Sequence, residues 1–418
     1  MALTATDARS STADDLLDHL LATADGQADP YPAYRELRRI APLHRCRFDG
    51  HWYATGFETT RALLSDPAFG KGPTLAPSRH GMDETRAESS RRRTRPSMIT
   101  TDPPAHTRLR GAGKAAFTPP RVEALRARVR ALVEERLDLL AEGGGGDLMA
   151  EVALALPITV IGELVGVPAP DRERFRPLLF EIMSADRPNQ PPDAAAKAEA
   201  AFTEFREYFE AVVAERRAER AAGRTSPDLL GALVESAADG TLDDDELQGT
   251  VSLIYIAGFL TTANLIGNGL VALFDHPSAR AQVWSDTGLV EDAVEEMLRY
   301  DTPVQMIHRI ARRDVEVGDA RIRGGETVFT LLGAANRDPA RFPDPDRFDV
   351  SRRDNAHLAF AWGLHFCLGA RLARLEANLV FEGLIRRFAA VEPDGEPKRS
   401  PGLFIRGFSE LPVRVANR

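Results

Sequence analysis

Residues 360–374 of the chain read FAWGLHFCLGARLAR, and one cysteine, Cys367, lies between two glycines of this stretch. A helix is predicted to follow at once, because apolar residues recur at near-helical spacing over residues 372–388. Gly363 and Gly369 would allow a tight backbone bend and the close approach of a bulky flat group. Cys367 would then precede a helix N-terminus, where unpaired N–H groups and the helix dipole favour a thiolate, which is a soft metal ligand.

Taken alone, Cys367 is better interpreted as a buried packing residue, which is the usual place of a single cysteine. The pattern around it is Phe-x-x-Gly-x-His-x-Cys-x-Gly followed by Leu-Ala-Arg, and it resembles the haem-thiolate signature of the cytochrome P450 monooxygenases. In that family a cysteine thiolate is the proximal haem ligand. The resemblance implies that Cys367 binds the iron of haem b and that Phe360, His365 and Gly369 contact the haem. Ala361 replaces the family's usual Gly, and its methyl group is expected to tighten the loop without removing the ligand.

The size of the chain, 418 residues with 43% hydrophobic and 28% charged residues, allows a large buried core. Length alone suggests two or three domains. The resemblance implies instead one mainly helical domain with small β-sheets, an α+β fold shaped as a triangular prism with a long central helix over the haem. Residues 1–28 are expected to form a poorly ordered tail, and residues 29–418 the single catalytic domain. Alternating residues around Asp49-Gly50 predict a β-hairpin over residues 43–55, and alternation over residues 314–328 predicts short strands.

The charge and cysteine content narrow the class of protein. A net charge of −9 argues against nucleic acid as the main partner. With only Cys46 and Cys367 no disulfide framework is expected, which fits a reducing cytoplasm. No basic segment leads into an apolar one near the N-terminus, so neither signal peptide nor membrane anchor is predicted, and we expect a cytoplasmic monomer. Residues 91–95, rich in arginine, are expected to lie in a solvated loop; a site for a phosphate or carboxylate ligand is the alternative.

A second helix is predicted to open after the pair Pro103-Pro104. His106 and Arg110 are four residues apart and share one face of this helix. These two residues could simply cap or solvate that face. The resemblance implies instead that His106 and Arg110, together with Arg309 and His365, hold the haem propionates, because fixed donors suit a carboxylate.

Residues 251–274 contain no charged residue, so a transmembrane helix must be considered. Four polar residues inside the segment argue against it, namely Thr261, Thr262, Asn264 and Asn268. A buried central helix explains the segment better, and it is expected to begin near Thr241 as the N-cap. At about 1.5 Å per residue, such a helix would cross the whole domain.

The stretch Ala257-Gly258-Phe259-Leu260-Thr261-Thr262 resembles the family's oxygen-binding motif, Ala-Gly-x-acid-Thr-Thr. The resemblance implies that the haem and dioxygen approach the backbone at Gly258, beside Ala257, and that Thr261 hydrogen-bonds dioxygen and helps to deliver protons. The alternative for Thr261 is a hydrogen bond to a carbonyl of its own helix. Leu260 stands where most members carry Asp or Glu. Three accounts of this departure are open: water and Thr261 suffice, the substrate supplies a hydroxyl or carboxyl group, or the reaction is not a simple hydroxylation.

Glu296 and Arg299 form a Glu-x-x-Arg pair some seventy residues before Cys367. Such a pair occurs by chance in many helices. The resemblance implies that it is buried and locked by a later arginine, Arg347 or else Arg352, and that this network holds the thiolate loop.

Substrate contacts are implied for Val304, Ile307 and Phe404, the last in a loop that reaches back to the pocket. The resemblance also implies that the segment between Gly70 and Pro96 covers the substrate and that residues 184–196 form a lid. Neither the substrate's identity nor whether it is free or tethered to a carrier protein follows from the sequence.

The sequence thus predicts a haem monooxygenase that activates O2 and hydroxylates an apolar C–H site of a small molecule of the secondary-metabolite class. It holds neither a Rossmann glycine fingerprint nor a cysteine cluster, so electrons from NAD(P)H are expected through a ferredoxin and its reductase. Lys114, Arg371 and Arg374 could form a basic landing face for an acidic ferredoxin. Two alternatives are oxidative coupling, cyclisation or epoxidation by the same haem centre, suggested by Leu260, and a non-catalytic haem-binding sensor.

Overall fold

The computed structural model of the chain describes residues 5–71, 95–184 and 193–418. The α-helices of these residues are α1 (Ala5–Ala22), α2 (Ala24–Ala28), α3 (Tyr31–Ile40), α4 (Phe57–Ser65), α5 (Ala105–Lys114), α6 (Pro119–Ala124), α7 (Arg126–Glu142), α8 (Ala155–Val165), α9 (Ala169–Ser184), α10 (Ala194–Ala221), α11 (Leu229–Ala238), α12 (Asp244–Ala257), α13 (Leu260–Asp275), α14 (Pro277–Ser285), α15 (Val290–Tyr300), α16 (Leu332–Ala335) and α17 (Ala370–Arg387).

The strands are short and belong to four small sheets. They are β1 (Leu43–Arg45), β2 (Trp52–Ala54), β3 (Phe69–Gly70), β4 (Gly145–Asp147), β5 (Met306–Ala311), β6 (Val315–Val317), β7 (Ala320–Ile322), β8 (Thr327–Leu331), β9 (Phe388–Pro393), β10 (Lys398–Arg399), β11 (Phe408–Glu410) and β12 (Pro412–Asn417). Helices therefore dominate, with little sheet, as the sequence predicts.

The chain divides into two compact units. Unit 1 comprises Met1–Gly70, Arg128–Ala155 and Thr261–Arg418, and unit 2 comprises Lys71–Ala127 and Leu156–Leu260. All the strands described belong to unit 1, whereas the described part of unit 2 is helical. The single domain expected over residues 29–418 stays a prediction.

The largest sheet of unit 1 has five strands in the order β1-β2-β8-β5-β3. Strands β1 and β2 form the predicted hairpin, with Leu43 opposite Ala54, and Gly50 in the turn has a positive φ of 73° that glycine adopts without strain. Strand β8 pairs in parallel with β2 and antiparallel with β5. The strands predicted within residues 314–328 are confirmed as β6, β7 and the start of β8. The sheet thereby fixes the position of β5, which carries Arg309 and Ile307.

The N-terminal segment differs from the disordered tail that its polarity suggests. Residues 5–22 form helix α1, and its apolar residues Leu17 and Leu20 are each only 1% exposed. They belong to the same hydrophobic cluster as Tyr34 of helix α3 and Met306 of β5. The apolar residues of α1 recur every three to four positions, and this spacing predicts a helix with one buried face, although the segment as a whole is polar.

The described core of unit 2 contains a cluster of four aromatic rings, which are Phe175, Phe205, Phe209 and Tyr255. Each of these rings is fully buried, and the centroids of the contacting pairs lie 4.8–6.0 Å apart. Five of the six pairs are tilted or edge-on and one is stacked, all within the range that aromatic packing favours. The cluster packs helices α9 and α10 onto α12, the helix that leads toward the predicted oxygen-binding motif.

The long apolar segment, Asp244–Asp275, is helical except for a turn at residues 258–259, and 72% of its most apolar window is buried. Among the described residues, it is the one helix that is long and apolar enough to cross a membrane. This is weak evidence for a membrane span, because a buried core helix meets the same length and composition criteria. Its N-cap is Asp243 rather than the predicted Thr241: the Asp243 carboxylate accepts from the Glu246 N–H at 2.8 Å, and Glu246 accepts in return from the Asp243 N–H. A carboxylate at the N-cap also complements the helix dipole, which a threonine cannot do.

Candidate functional site

Cys367 lies in a loop of unit 1 between a short 3-10 helix, Gly363–His365, and helix α17, which begins at Ala370. Its backbone N–H donates to the Phe360 carbonyl at 3.0 Å, and its side chain is exposed. The sequence prediction that Cys367 immediately precedes a helix is confirmed by this geometry. A sulfur placed there is accessible to a ligand and close to the positive end of the helix dipole.

Two residues of this loop have left-handed backbone conformations. Gly363 has a φ of 72°, and a Cβ there would meet the Leu64 carbonyl oxygen at 2.5 Å, so glycine is required. Ala361, where the family usually has Gly, has a φ of 60° and is therefore strained. Gly369 was also expected to allow a tight backbone bend. Its φ of −85° is accessible to any residue, so the backbone does not require glycine there.

Exposed apolar side chains flank the thiol. Trp362, Leu364 and Phe366 are 37%, 46% and 39% exposed, and they are half of the six exposed large apolar side chains in the described part of the chain. Such a concentration of apolar surface next to a soft ligand marks a surface that a large apolar group covers. The donor set and its apolar surroundings therefore fit a haem. Cys46, by contrast, is buried, and its burial raises the pKa of that thiol to about 12.

The predicted propionate donors lie in both units. In unit 1, Arg309 on β5 is only 1% exposed and donates to the His308 carbonyl at 2.9 Å. His365, in the 3-10 helix, is half-buried. In unit 2, His106 is 1% exposed and Arg110 half-buried, and both lie on helix α5 one turn apart. Buried cationic or polar side chains need a polar partner. Their joint role toward propionates stays a prediction.

The central helix is interrupted at the predicted oxygen-binding motif. Helix α12 ends at Ala257 and α13 begins at Leu260, so Gly258 lies in the break. A Cβ at Gly258 would meet Ile161 at 2.7 Å, which gives this glycine a packing role in unit 2 that the sequence did not indicate. Ala257 is exposed and Thr261 half-buried, whereas Leu260 is only 3% exposed.

The Glu-x-x-Arg pair is buried, as the resemblance implies. Glu296 and Arg299 on α15 are each 0% exposed and joined by two hydrogen bonds of 2.7 and 2.8 Å. The later arginine is Arg352, whose Nε lies 3.3 Å from Glu296. The prediction that the Arg347 side chain locks the pair is wrong, because that side chain is 69% exposed. Arg347 contributes only its backbone carbonyl, which accepts from Arg299 at 3.1 Å.

Further partners of Glu296 and Arg299 come from the chain that precedes the cysteine loop. Glu296 accepts from the Asp349 N–H at 2.8 Å and from the Asn355 amide at 3.2 Å, while Arg299 donates to the Asn336 carbonyl at 3.0 Å. A buried ion pair with all its hydrogen-bonding capacity used fixes one arrangement of its neighbours. Helix α15 therefore holds the segment that leads into the Cys367 loop.

A second, half-buried contact joins α15 to α17, and no sequence pattern indicated it. Glu295 accepts two hydrogen bonds from Arg374 of α17, at 2.6 and 2.8 Å, and lies 3.3 Å from His357. Burial alone would raise the pKa of Glu295, but Arg374 and His357 more than offset this and lower it to about 2. Arg374 also stacks over Phe360 at 4.5 Å. The charge of Arg374 is thus neutralised within unit 1. Arg371 of unit 1 and Lys114 of unit 2 are both exposed, and a ferredoxin face formed by them stays a prediction.

The predicted substrate residues of unit 1 lie on two segments that pair with each other. Val304 and Ile405 form an isolated antiparallel bridge, and the Gln305 N–H donates to the Phe404 carbonyl at 3.0 Å. Val304, Ile307 and Phe404 are all half-buried. The segment that carries Phe404 therefore lies beside the segment that carries Val304. That the Phe404 loop reaches back to the substrate pocket stays a prediction.

Parts of the predicted substrate cover and lid lie outside the described residues, namely residues 72–94 and 185–192. Of the arginine-rich residues 91–95, only Arg95 is described, and it forms an ion pair with Asp245.

A family model described as Cytochrome P450 matches residues 173–414. The chain is 41% identical to the cytochrome P450 monooxygenase PikC of Streptomyces venezuelae over 93% of this chain and 92% of that protein. It is 38% identical to 6-deoxyerythronolide B hydroxylase of Saccharopolyspora erythraea, over 93% and 96%. The crystal structure of P450BioI in complex with hexadec-9Z-enoic acid ligated acyl carrier protein is similar with a TM-score of 0.85 at 31% identity, covering 94% of this chain and 100% of that one. The fold predicted from the sequence is thereby confirmed.

Proposed function

Because the chain belongs to the cytochrome P450 family, we propose that it hydroxylates an apolar C–H site of a small secondary metabolite with electrons supplied by a ferredoxin. Members bind haem b through a cysteine thiolate and use O2 and electrons from NAD(P)H delivered by redox partners, so the chain is an oxidoreductase that incorporates oxygen rather than a non-catalytic sensor. When bound, the haem supplies the activation of O2 and the oxidation of the C–H bond. One oxygen atom enters the product as hydroxyl and the other leaves as water, with two electrons and two protons consumed.

The observation that carries the proposal is the exposed Cys367 thiol in its apolar loop. It is the better metal ligand of the chain's two cysteines, because Cys46 is buried with a raised pKa and a thiolate is the coordinating form. Phe360 and Gly369 would contact the same haem from the loop. His106, Arg110, Arg309 and His365 would hold its propionates, since guanidinium and imidazole N–H groups suit carboxylates.

Thr261 would pass protons through its hydroxyl toward the oxygen-binding position, next to Ala257 and Gly258. The half-buried Thr261 and the exposed Ala257 support this role, because both have accessible surface in a helical segment whose most apolar window is 72% buried. Leu260 cannot carry a proton. We therefore assign the rest of the relay to ordered water or to a polar group of the substrate. Oxidative coupling, cyclisation or epoxidation is the alternative reaction at the same centre.

The substrate would be held by Val304, Ile307 and Phe404. Similarity to 6-deoxyerythronolide B hydroxylase supports a free secondary metabolite, and similarity to P450BioI in complex with a loaded acyl carrier protein supports a carrier-tethered acid. A titration of the ferric protein with 6-deoxyerythronolide B and with carrier-bound hexadec-9Z-enoic acid distinguishes the two. A low- to high-spin shift with either compound supports that class, and no shift with either removes both.

An acidic ferredoxin would approach the exposed Arg371 and Lys114, in a cytoplasmic location. Reversing each of these charges is expected to slow reduction and flatten its salt dependence. Reduction kinetics unchanged at low salt would remove this docking assignment.

The ligand assignment is tested with Cys367→Ser and the matched variant Cys46→Ser. The unmodified protein and Cys46→Ser are expected to give the absorbance band of the thiolate-ligated ferrous–CO complex, and Cys367→Ser to lose it. Retention of that band by Cys367→Ser would overturn the assignment.

A further inference from the structure

Two segments of unit 1 that carry proposed substrate contacts are held side by side by only a few backbone hydrogen bonds. These paired segments are residues 303–305 and 404–406. The Arg406 N–H donates to the Pro303 carbonyl at 2.7 Å, and the Gln305 N–H to the Phe404 carbonyl at 3.0 Å. So short a pair is marginal by itself, since an isolated two-stranded contact has little stability in water. Other groups must therefore fix its geometry.

One side chain of helix α13 connects both segments. The Nδ2 of Asn268 donates to the Asp301 carbonyl at 3.1 Å and to the Arg406 carbonyl at 3.2 Å. Asn268 is 1% exposed, so water cannot replace either bond. A single amide group thus sets the distance between the chain entering the first segment and the chain ending the second.

Buried charge supports the same junction. The Asp301 carboxylate accepts from Arg406 Nε at 2.7 Å and from the Tyr31 hydroxyl at 2.6 Å. Burial alone would raise the pKa of Asp301, but Arg406 and nearby Arg399 hold it below its usual range. Arg406 also donates to the Gln27 carbonyl at 2.8 Å, which ties the junction to the N-terminal segment. Buried polar groups satisfied in this way specify one arrangement more than they add stability.

We infer that Asn268 is a positioning residue for substrate selectivity: by bridging the Asp301 and Arg406 carbonyls it fixes the separation of Val304 and Phe404. This inference rests on the proposed function, because it takes both side chains to face the substrate. Asn268 contacts the two backbone segments and acts only through them. Loss of the bridge lets the segments separate, and an apolar ligand that fills the space between Val304 and Phe404 then loses its complementary surface.

Amide hydrogen exchange of the full-length protein tests the bridge without any ligand. In Asn268→Leu, which keeps the branched shape of the side chain but removes its donor, the amides of Gln305 and Arg406 are expected to exchange about tenfold faster, because two buried hydrogen bonds are lost. The amide of Ala311, the last residue of β5, donates to the Glu326 carbonyl at 2.9 Å outside the paired segments, so it serves as an internal reference and should not change. Equal exchange at Gln305 and Arg406 in both proteins would overturn the bridge.

The consequence for ligands is measured with two iron-binding probes of different size, imidazole and 4-phenylimidazole. For the haem-loaded Asn268→Leu protein the dissociation constant of 4-phenylimidazole is expected to rise about fivefold, and that of imidazole to change less than about twofold. An unchanged ratio of the two constants, with faster exchange at Gln305, would show a purely structural bridge and overturn the inference.

Two further variants separate selectivity from general loss of stability. Leu137→Ala removes a fully buried side chain elsewhere in unit 1 and should leave the ratio unchanged. Tyr31→Phe removes a donor to Asp301 and the acceptor of the Gln305 side-chain amide, so it loosens the same junction. It should shift the ratio in the same direction, and it serves as the test if Asn268→Leu does not fold. Failure of the proposed function would look different: the unmodified protein would lack the thiolate ferrous–CO band, whatever the exchange rates of its variants.

Discussion

The Arg374 guanidinium of helix α17 donates to both oxygens of the Glu295 carboxylate of helix α15, at 2.6 and 2.8 Å. Two parallel hydrogen bonds of this kind have a defined geometry as well as charge attraction. The pair therefore fixes α17, which begins three residues after Cys367, to the helix that also carries the buried Glu296.

Replacement of Glu295 by Gln is expected to lower the free energy of unfolding at neutral pH by roughly 3 kcal/mol, the equivalent of its pKa shift from 4.5 to about 2. The contribution is present above the unfolded pKa, because the folded pKa is depressed, and it is lost as pH falls from 4.5 through about 2. Urea unfolding at a series of pH values should therefore show the two proteins converging below pH 4.5. Glu36→Gln, a control in an exposed pair with Arg39, should show no measurable change. A difference that is independent of pH would contradict the assignment.

Arg352→Ala is expected to lower the free energy of unfolding by about 3 kcal/mol, because it leaves the fully buried Glu296 with one cation fewer. Arg347→Ala is the matched control and should change it by less than about 0.5 kcal/mol, since the Arg347 side chain is exposed and its carbonyl remains. Chemical denaturation of both variants measures the difference. Equal losses would mean that the two arginines share the role.

Ala361→Gly is expected to raise the free energy of unfolding by roughly 0.5–1 kcal/mol, because it relieves the left-handed backbone at a φ of 60°. The opposite change two residues later, Gly363→Ala, should lower it, since its Cβ would meet the Leu64 carbonyl oxygen at 2.5 Å. Thermal unfolding of both variants shows whether Ala361→Gly raises and Gly363→Ala lowers the stability of the protein. Destabilisation by Ala361→Gly would show that the methyl group stabilises the loop, as first expected from the sequence.

Leu17→Ala in helix α1 is expected to cost about 2–4 kcal/mol, the usual range for a buried leucine that loses its side chain. Leu139→Ala, at a leucine that is 49% exposed, is the control and should cost less than about 0.5 kcal/mol. The free energy of unfolding in denaturant, measured for both variants, shows whether the N-terminal helix unfolds together with the rest of unit 1. If Leu17→Ala left the free energy of unfolding unchanged, the expectation of a poorly ordered N-terminal tail would be correct instead.

Leu260→Glu tests how protons reach the oxygen-binding position. If ordered water or the substrate completes the relay, product formed per NAD(P)H consumed should stay within about twofold of the unmodified protein, and peroxide release should not fall. Leu260→Gln, which has similar size but no acid, controls for the cost of a polar group at a buried position. A several-fold gain in coupling that is specific to Glu would mean that the native relay is incomplete.

Features carried by adjacent residues were predictable from the sequence. The hairpin at Asp49-Gly50 and the helix after Cys367 follow from local turn and periodicity rules, and the structure contains both. The buried Glu296–Arg299 pair was accessible only through the resemblance, because its spacing alone is common.

What escaped the sequence depends on contacts between distant residues. Glu295 and Arg374 are 79 positions apart, and no local pattern marks one as the partner of the other. The choice of Arg352 over Arg347 depends on which side chain turns inward, which spacing along a loop does not determine. Helix α1 was missed because its polar residues outnumber the few leucines that secure it to the core.

The Cys367 loop can also be considered as a closed ring of chain. Asn355 is held by Glu296, Arg374 is held by Glu295, and the two glutamates are neighbours on one helix, so both ends of a segment of about twenty residues are joined at a single point. Closing a loop of that size costs about (3/2)RT ln n of chain entropy on folding, and the hydrogen bonds of Glu295 and Glu296 offset that cost. Unlike a disulfide, this closure is independent of redox conditions, so it survives in a compartment where electrons are delivered to the protein.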